Sequence, residues 1–289
     1  MGNEKQLYLK GLCIAITGVI VLSFDALLIR LSGTSGITAV FYRALFTFIS
    51  ITTIFFATQK KNSIQTLKDG GLPMVLSGIM WGISGMGFTL GVQTAGAANT
   101  LVLIALAPLF ASAFASIFYK SRPSVVTIIA AVIAIIGIWY IYKDGFGDMD
   151  IRGFLFALST PLFLGCNLSY LRAHKNMSRP ASVMIGGMTG SLLALIISGG
   201  GLAIEGQALI PLALLGLFVI PFSQTMIATG TRYIRSSEAA LINSSETVLG
   251  ICWVWIFLGE QPQQNFLPGA VLVILAITGN SLYHAKEKR

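Results

Sequence analysis

Charge is what this chain has least of. Asp, Glu, Lys and Arg make up only 10% of its residues, too few to clothe a water-facing surface, so a soluble globular enzyme or binding domain is excluded at the outset. Histidine is scarcer still, at 2, and cysteine stands at 3. Cys13, Cys166 and Cys252 fall inside apolar runs at no ligand spacing, which leaves them as small core residues and argues against a disulfide framework or a metal site. His174 and His284 are far apart and accompany no acidic cluster, so no metal-dependent or nucleophilic chemistry is suggested. No Walker motif is present, which excludes ATP hydrolysis within the chain, and no cofactor is implied. The run "GISGMG" (82–87) sits within an apolar stretch with no strand before it. Together with Gly78 and Gly91 it has the small-xxx-small spacing of close helix packing. A cleavable leader is also missing: the first apolar run is long, lacks a small-residue cleavage site and has few positive residues before it. It is therefore expected to remain as the first helix, in keeping with a bacterial plasma membrane.

Apolar sequence is abundant instead. Hydrophobic residues reach 55% and the mean hydropathy is +0.80. A helix crossing the ~30 Å hydrocarbon core needs about 20 mostly apolar residues. Ten stretches qualify, at 7–31, 37–57, 71–91, 97–118, 124–142, 153–171, 181–203, 209–229, 235–258 and 266–283. Several are far longer than a barrel strand, and every backbone amide in lipid must be paired within the protein, so an all-α membrane protein of ten transmembrane helices is expected.

The few basic residues are segregated. Lys5 and Lys10; Lys60, Lys61 and Lys68; Lys120 and Arg122; Arg172, Lys175 and Arg179; Arg232 and Arg235; and Lys286, Lys288 and Arg289 all fall at alternate connectors or at the two ends. The opposite connectors hold only Lys143 and Arg152, and carry the acids Asp144, Asp148, Asp150, Glu205 and Glu260. By the positive-inside rule both termini are cytoplasmic and the chain is a multi-pass protein of the cell (inner) membrane. The net charge of +8 follows from inner-face retention and contact with anionic membrane lipid, so no nucleic-acid partner is needed.

The chain also resembles itself. A shift of 139 lays Ile117-Phe118 on Ile256-Phe257 and Pro123 on Pro262, and Ala97-Ala98-Asn99-Thr100 over Ser236-Ser237-Glu238-Ala239. A shift of 142 lays Gly11 on Gly153, Ala15 on Ala157, Arg30 on Arg172 and Asp25 over Asn167. Residues 1–150 and 151–289 then form two five-helix repeats. Five is odd, so the halves enter the membrane from opposite sides, the inverted plan common in secondary transporters, with a substrate site near the midplane.

The stretch "RYIRSSEAALINSSETVLGICWVWIFLGEQP" (232–262) resembles the ninth-helix signature of EamA-type members of the drug/metabolite transporter (DMT) superfamily. "AGAANTLVLIALAPLFASAFASIFYKSRP" (95–123), with its Pro108, is similar to the matching fourth helix. The resemblance implies ten helices in two inverted repeats and transport of an amino acid, a related metabolite or a small amphiphile; a Glu is frequent at the position of Glu246. Two departures stand out. Thr247 replaces the proline that usually follows that Glu, so the ninth helix is expected to be less kinked, and Ser121 stands where the other half has Glu260.

Ionisable groups in hydrocarbon cost roughly 2.5–3.5 kcal/mol each at a helix centre, which makes the few present here site candidates. Asp25 and Arg43 each lie about six residues from the outer ends of consecutive spans, at similar depth. Two readings stand for them: a structural ion pair, or a charged pair lining the cavity, with the planar Arg43 fork taking a substrate carboxylate or phosphate. Glu246 is near the middle of the ninth span and shares a helix face with Asn243, Gly250 and Trp253. It either carries a proton during transport or locks its helix to a neighbour by a hydrogen bond. Thr160, Asn167 and Tyr170 share a face of the sixth span beside Pro161, which would kink it. Trp81 is near the middle of the third span, and Gln224 follows Pro221 in the eighth; these polar groups either line the cavity or bridge helices. The leading expectation is a secondary transporter of a small polar metabolite, an exporter or exchanger working by alternating access, with protons as possible partners and a homodimer as a possible assembly. A flippase of a lipid-linked metabolite is the alternative, and an integral-membrane enzyme a more distant one.

Overall fold

The computed structural model describes residues 2–120, 124–142, 150–174, 177–230, 233, 236–260 and 266–287. Of the residues named above, Ser121, Arg122, Pro123, Lys143, Asp144, Asp148, Lys175, Arg232, Arg235, Pro262, Lys288 and Arg289 lie outside them. So do the side chains of Lys5, Lys61, Arg172, Ser236, Ser237, Glu238, Ala239, Asn243, His284 and Lys286.

Every regular element among the described residues is helical: α1 (Gly2–Leu22), α2 (Asp25–Leu31), α3 (Gly36–Gln59), α4 (Ser63–Thr94), α5 (Ala97–Ile104), α6 (Ala107–Tyr119), α7 (Val125–Tyr142), α8 (Ile151–Ala173), α9 (Arg179–Ser198), α10 (Gly206–Leu214), α11 (Ile220–Gly230), α12 (Ser236–Leu258) and α13 (Phe266–Glu287). Among the described residues, seven helical stretches are long and apolar enough to cross a membrane: Leu9–Leu31, Gly36–Gln59, Ser63–Thr94, Ala97–Tyr119, Ile151–Leu171, Arg179–Ser198 and Gly206–Ile227. Three shorter apolar helices accompany them, at Val125–Ile141, Ser245–Leu258 and Phe266–Asn280. Large apolar side chains such as Ile135, Ile196, Ile256 and Leu275 face outward, the inverse of a soluble surface and the arrangement that hydrocarbon demands.

Polar caps and positive-φ residues set the helix ends. Ser35 starts α3 by accepting a hydrogen bond from the Thr38 amide, at 3.3 Å, and Asp150 starts α8 by accepting one from the Arg152 amide, at 3.0 Å. Gly96, at φ +90°, separates α4 from α5, and Gly199, at φ +59°, ends α9, five residues before the end of the seventh apolar stretch.

Four spans are not uniform helices, and each departure has a local cause. α4 begins eight residues before its apolar stretch and bends at Gly71, at φ +50°, just ahead of Pro73. The fourth stretch divides at Ala105-Leu106, because Pro108 in the first turn of α6 has no amide to offer Ile104. The residue 139 positions on is Thr247, and there α12 runs unbroken from Ser236 to Leu258. The eighth stretch contains a π-helical turn, Leu215–Val219, between α10 and α11. Finally, the first stretch divides at Ser23-Phe24 although neither proline nor glycine is there. In contrast, α8 continues through Pro161 as one element.

The bundle is packed through its glycines. α1 lies along α11, α4 along both α8 and α9, α3 against α9, and α7 against α13. A Cβ at Gly91 would come 2.8 Å from Ala157 Cα, and one at Gly230 would come 2.7 Å from Ala15 Cβ. The backbones thus approach more closely than any side chain permits, which is how helices associate where the hydrophobic effect is absent.

Candidate functional site

The break in the first span places its charge. Ser23 and Phe24 leave the helical path, and Asp25 restarts it as the first residue of α2. The Ser23 hydroxyl donates to the Ile20 carbonyl, at 2.7 Å, and accepts the Trp253 indole N–H, at 2.8 Å. The Phe24 ring stacks on Trp253 with centroids 4.8 Å apart. A Cβ at Gly250 would lie 3.4 Å from the Ser23 carbonyl oxygen, so α12 presses against the break itself. Tertiary contact therefore holds open a break that the local sequence does not require.

Arg43 on α3 meets Asp25 there. Its Nε donates to Oδ1 at 3.3 Å and its Nη2 to Oδ2 at 2.6 Å, a two-point fork in which the side chains are only 9% and 8% exposed. The Phe88 ring lies 5.7 Å from the guanidinium carbon, near enough for its face to attract the cation. Two features give Arg43 its place. Thr47 donates to the Arg43 carbonyl at 2.8 Å, and the π-helical turn lies directly behind it, where a Cβ at Gly216 would come 2.8 Å from the same carbonyl oxygen. Such turns are frequent at functional sites.

Glu246 of α12 is half-buried and lies within electrostatic reach of both Asp25 and Arg43. Four residues further on, Gly250 touches the Ser23 break. The structure thus gathers Asp25, Arg43 and Glu246 into one cluster. The side chain of Asn243 lies outside the described residues.

Beside the cluster, Arg43, Trp81, Gly82, Gly85, Met86, Thr89, Gly186 and Gly190 are among the residues enclosing a small pocket. The other residues singled out from the sequence do not line it. Asn167 is buried and accepts the Ser77 hydroxyl at 2.6 Å, a bridge between α8 and α4. Tyr170 stacks on His174 at 4.2 Å near the end of α8. Thr160 is buried, and its hydroxyl has no partner among the described residues. Gln224 is half-buried in α11.

One ion pair was not foreseen. Arg30, in the last turn of α2, donates from Nε to Glu260 Oε1 at 2.9 Å and also from Nη2 to the same oxygen. Nothing in the linear order pairs residues 230 positions apart.

The family model described as "EamA-like transporter family" matches this chain twice, over residues 9–143 and 151–282. The chain belongs to the EamA-like transporter family. It is therefore a multi-pass membrane transporter with a small-molecule substrate, and not an enzyme. Among curated proteins it is similar to the threonine/homoserine exporter RhtA of Escherichia coli strain K12. The two are 30% identical over 274 residues, covering 91% of this chain and 86% of that protein. The proteins of the same name from E. coli O6:H1 and O157:H7 match to the same extent. A solved crystal structure of another chain superposes with a TM-score of 0.64 at 14% identity, covering 96% of this EamA-family chain and 97% of that one. At that identity it speaks for the fold alone.

Proposed function

We propose that this EamA-family chain exports amino acids by alternating access, with Glu246 and Asp25 as the groups that couple export to protons. The observation that carries this reading is the charge cluster. Two carboxylates and one guanidinium lie together within a bundle whose apolar spans carry their other charges, Lys10, Arg30, Arg235 and Glu238, only near their ends, and ionisable groups persist at mid-span depth where they serve substrate or proton pathways. The similarity to a threonine/homoserine exporter over most of both chains supports a zwitterionic cargo, since such a cargo presents both charges that the cluster complements.

The bundle is read as ten transmembrane helices in two inverted repeats, 1–150 and 151–289. The double match of the family model favours this, and so does the packing. Gly91 meets Ala157, and Gly230 meets Ala15; shifts of 139 and 142 carry one contact onto the other with the halves exchanged. Both termini are taken to be cytoplasmic from the segregation of Lys and Arg. The Arg30–Glu260 pair then ties the two halves together on the outer side, and the outward apolar faces contact membrane lipid or, in a homodimer, a second copy.

The deciding experiment is flux of a mixed metabolite panel including L-threonine and L-homoserine in proteoliposomes, read by mass spectrometry with and without a proton gradient. Protein-dependent movement of amino acids, enhanced by the gradient, is the expected result. Absence of any amino-acid flux would remove the substrate class, and flux indifferent to the gradient would remove proton coupling. Alternating access has its own check. Glu260→Gln deletes the outer tie, and single cysteines near the outer end of α2 should then label faster from outside, and cysteines near the inner ends more slowly. Labelling that rises on both faces together would contradict reciprocal opening.

A further inference from the structure

We propose that the pocket between α3, α4 and α9 is the carboxylate subsite of the transporter, with the Arg43 Nη1 group as its donor and Gly85 as the residue that keeps it open. The inference rests on the amino-acid reading above and specifies which atoms meet which end of the cargo.

A guanidinium carries five N–H donors in a rigid fork. Asp25 engages Nε and Nη2. Among the described residues no hydrogen bond is made by Nη1, although the Arg43 side chain is more than nine-tenths buried. Nη1 is not among the fully buried side-chain atoms left without a partner, so it opens onto accessible space, where the donor is available to a ligand. Nη1 has an acceptor-sized space in front of it. Arg43, Trp81, Gly82, Gly85 and Thr89 are among the residues lining a pocket of about 10 Å³, the room that one water-sized oxygen occupies. One oxygen of a flat carboxylate suits that space, whereas a tetrahedral phosphate presents more bulk than it holds. Asp25 occupies one edge of Arg43, so the edge left free is the one available to a carboxylate.

Gly85 is the gatekeeper because a Cβ there would stand 3.1 Å from Nη1, in the position the incoming oxygen needs. Trp81 forms a fixed wall, since its Cε3 lies where a Cβ of Gly186 would come within 2.6 Å, leaving no room for the pocket to widen on that side.

The test uses the full-length chain and two competitors of L-threonine counterflow in proteoliposomes. One is unlabelled L-threonine, and the other is L-threoninol, which keeps the ammonium and side chain but replaces the carboxylate by CH2OH. In the parent protein threonine should compete at least about tenfold better than threoninol. In Gly85→Ala the KM for threonine should rise at least about tenfold with kcat changed less, the preference over threoninol should largely vanish, and thermal unfolding in detergent should stay close to that of the parent. Arg43→Lys, which retains a cation for Asp25 but has no second arm, should erase the same preference and gives the answer if the alanine variant does not fold. Threoninol competing as well as threonine in the parent, or an unaltered threonine KM in Gly85→Ala, overturns the subsite while leaving amino-acid transport standing. A parent protein that moves neither compound overturns the amino-acid reading itself, and the subsite with it.

Discussion

Glu246→Gln is expected to lose gradient-driven accumulation of substrate by about 100-fold while substrate exchange across the membrane survives within a few-fold. Glutamine preserves the shape and the hydrogen-bonding reach of the side chain, so α12 keeps its contacts with the Ser23-Phe24 break through Trp253 and Gly250. What it cannot do is take up and release a proton. The free energy at stake is that of a proton moving down its gradient, roughly 2.3 kcal/mol for each 100 mV of membrane potential, and about 1.4 kcal/mol is a factor of ten. Coupled and uncoupled flux in the same proteoliposomes, with and without a proton gradient, reads the two quantities separately. A Gln variant that still concentrates substrate against its gradient would remove Glu246 from the proton pathway and leave it as a helix lock.

The second large effect is on stability. Asp25→Ala should destabilise the protein by about 3–5 kcal/mol, because it strands the Arg43 guanidinium among apolar walls. The same substitution combined with Arg43→Met should cost less than Asp25→Ala alone, since the double variant buries no unpaired charge. Equilibrium unfolding in a mixed-detergent titration of the parent, the two single variants and the double variant closes the cycle. Additive losses would mean that the two residues, although 2.6 Å apart at their nearest atoms, do not depend on one another. The paired result would show that neutralising Arg43 is a structural task of Asp25.

Much of the site could be read in the linear chain, and the reasons differ from residue to residue. Asp25, Arg43 and Glu246 stand out because a charge inside an apolar run has no cheap explanation, and the structure brings all three together. Polar groups without charge did not discriminate in the same way. Asn167 bridges to Ser77 on another helix and Tyr170 stacks on His174 at the end of its own helix, and nothing in their spacing distinguished them from cavity-lining groups. Thr247 was informative because it replaces a proline: a residue with an amide can continue a helix, and α12 is continuous where its counterpart divides at Pro108. The place of Gly85 beside Arg43 was invisible, because one glycine among several in the same helix reads only as close packing.

The sequence by itself determined the solvent, the all-helical class and the short list of charges that could do chemistry. Hydropathy, span length and charge are properties of single residues and their near neighbours, and the bilayer imposes them position by position. Only the tertiary structure decided that Asp25 faces Arg43, that Arg30 reaches Glu260, and that the first span breaks at Ser23-Phe24. That last break has no proline or glycine to announce it; the Trp253 indole and ring hold it from another helix. Which donors are used and which remain for a substrate is fixed by the packing of helices far apart in the chain, and no local pattern encodes that pairing.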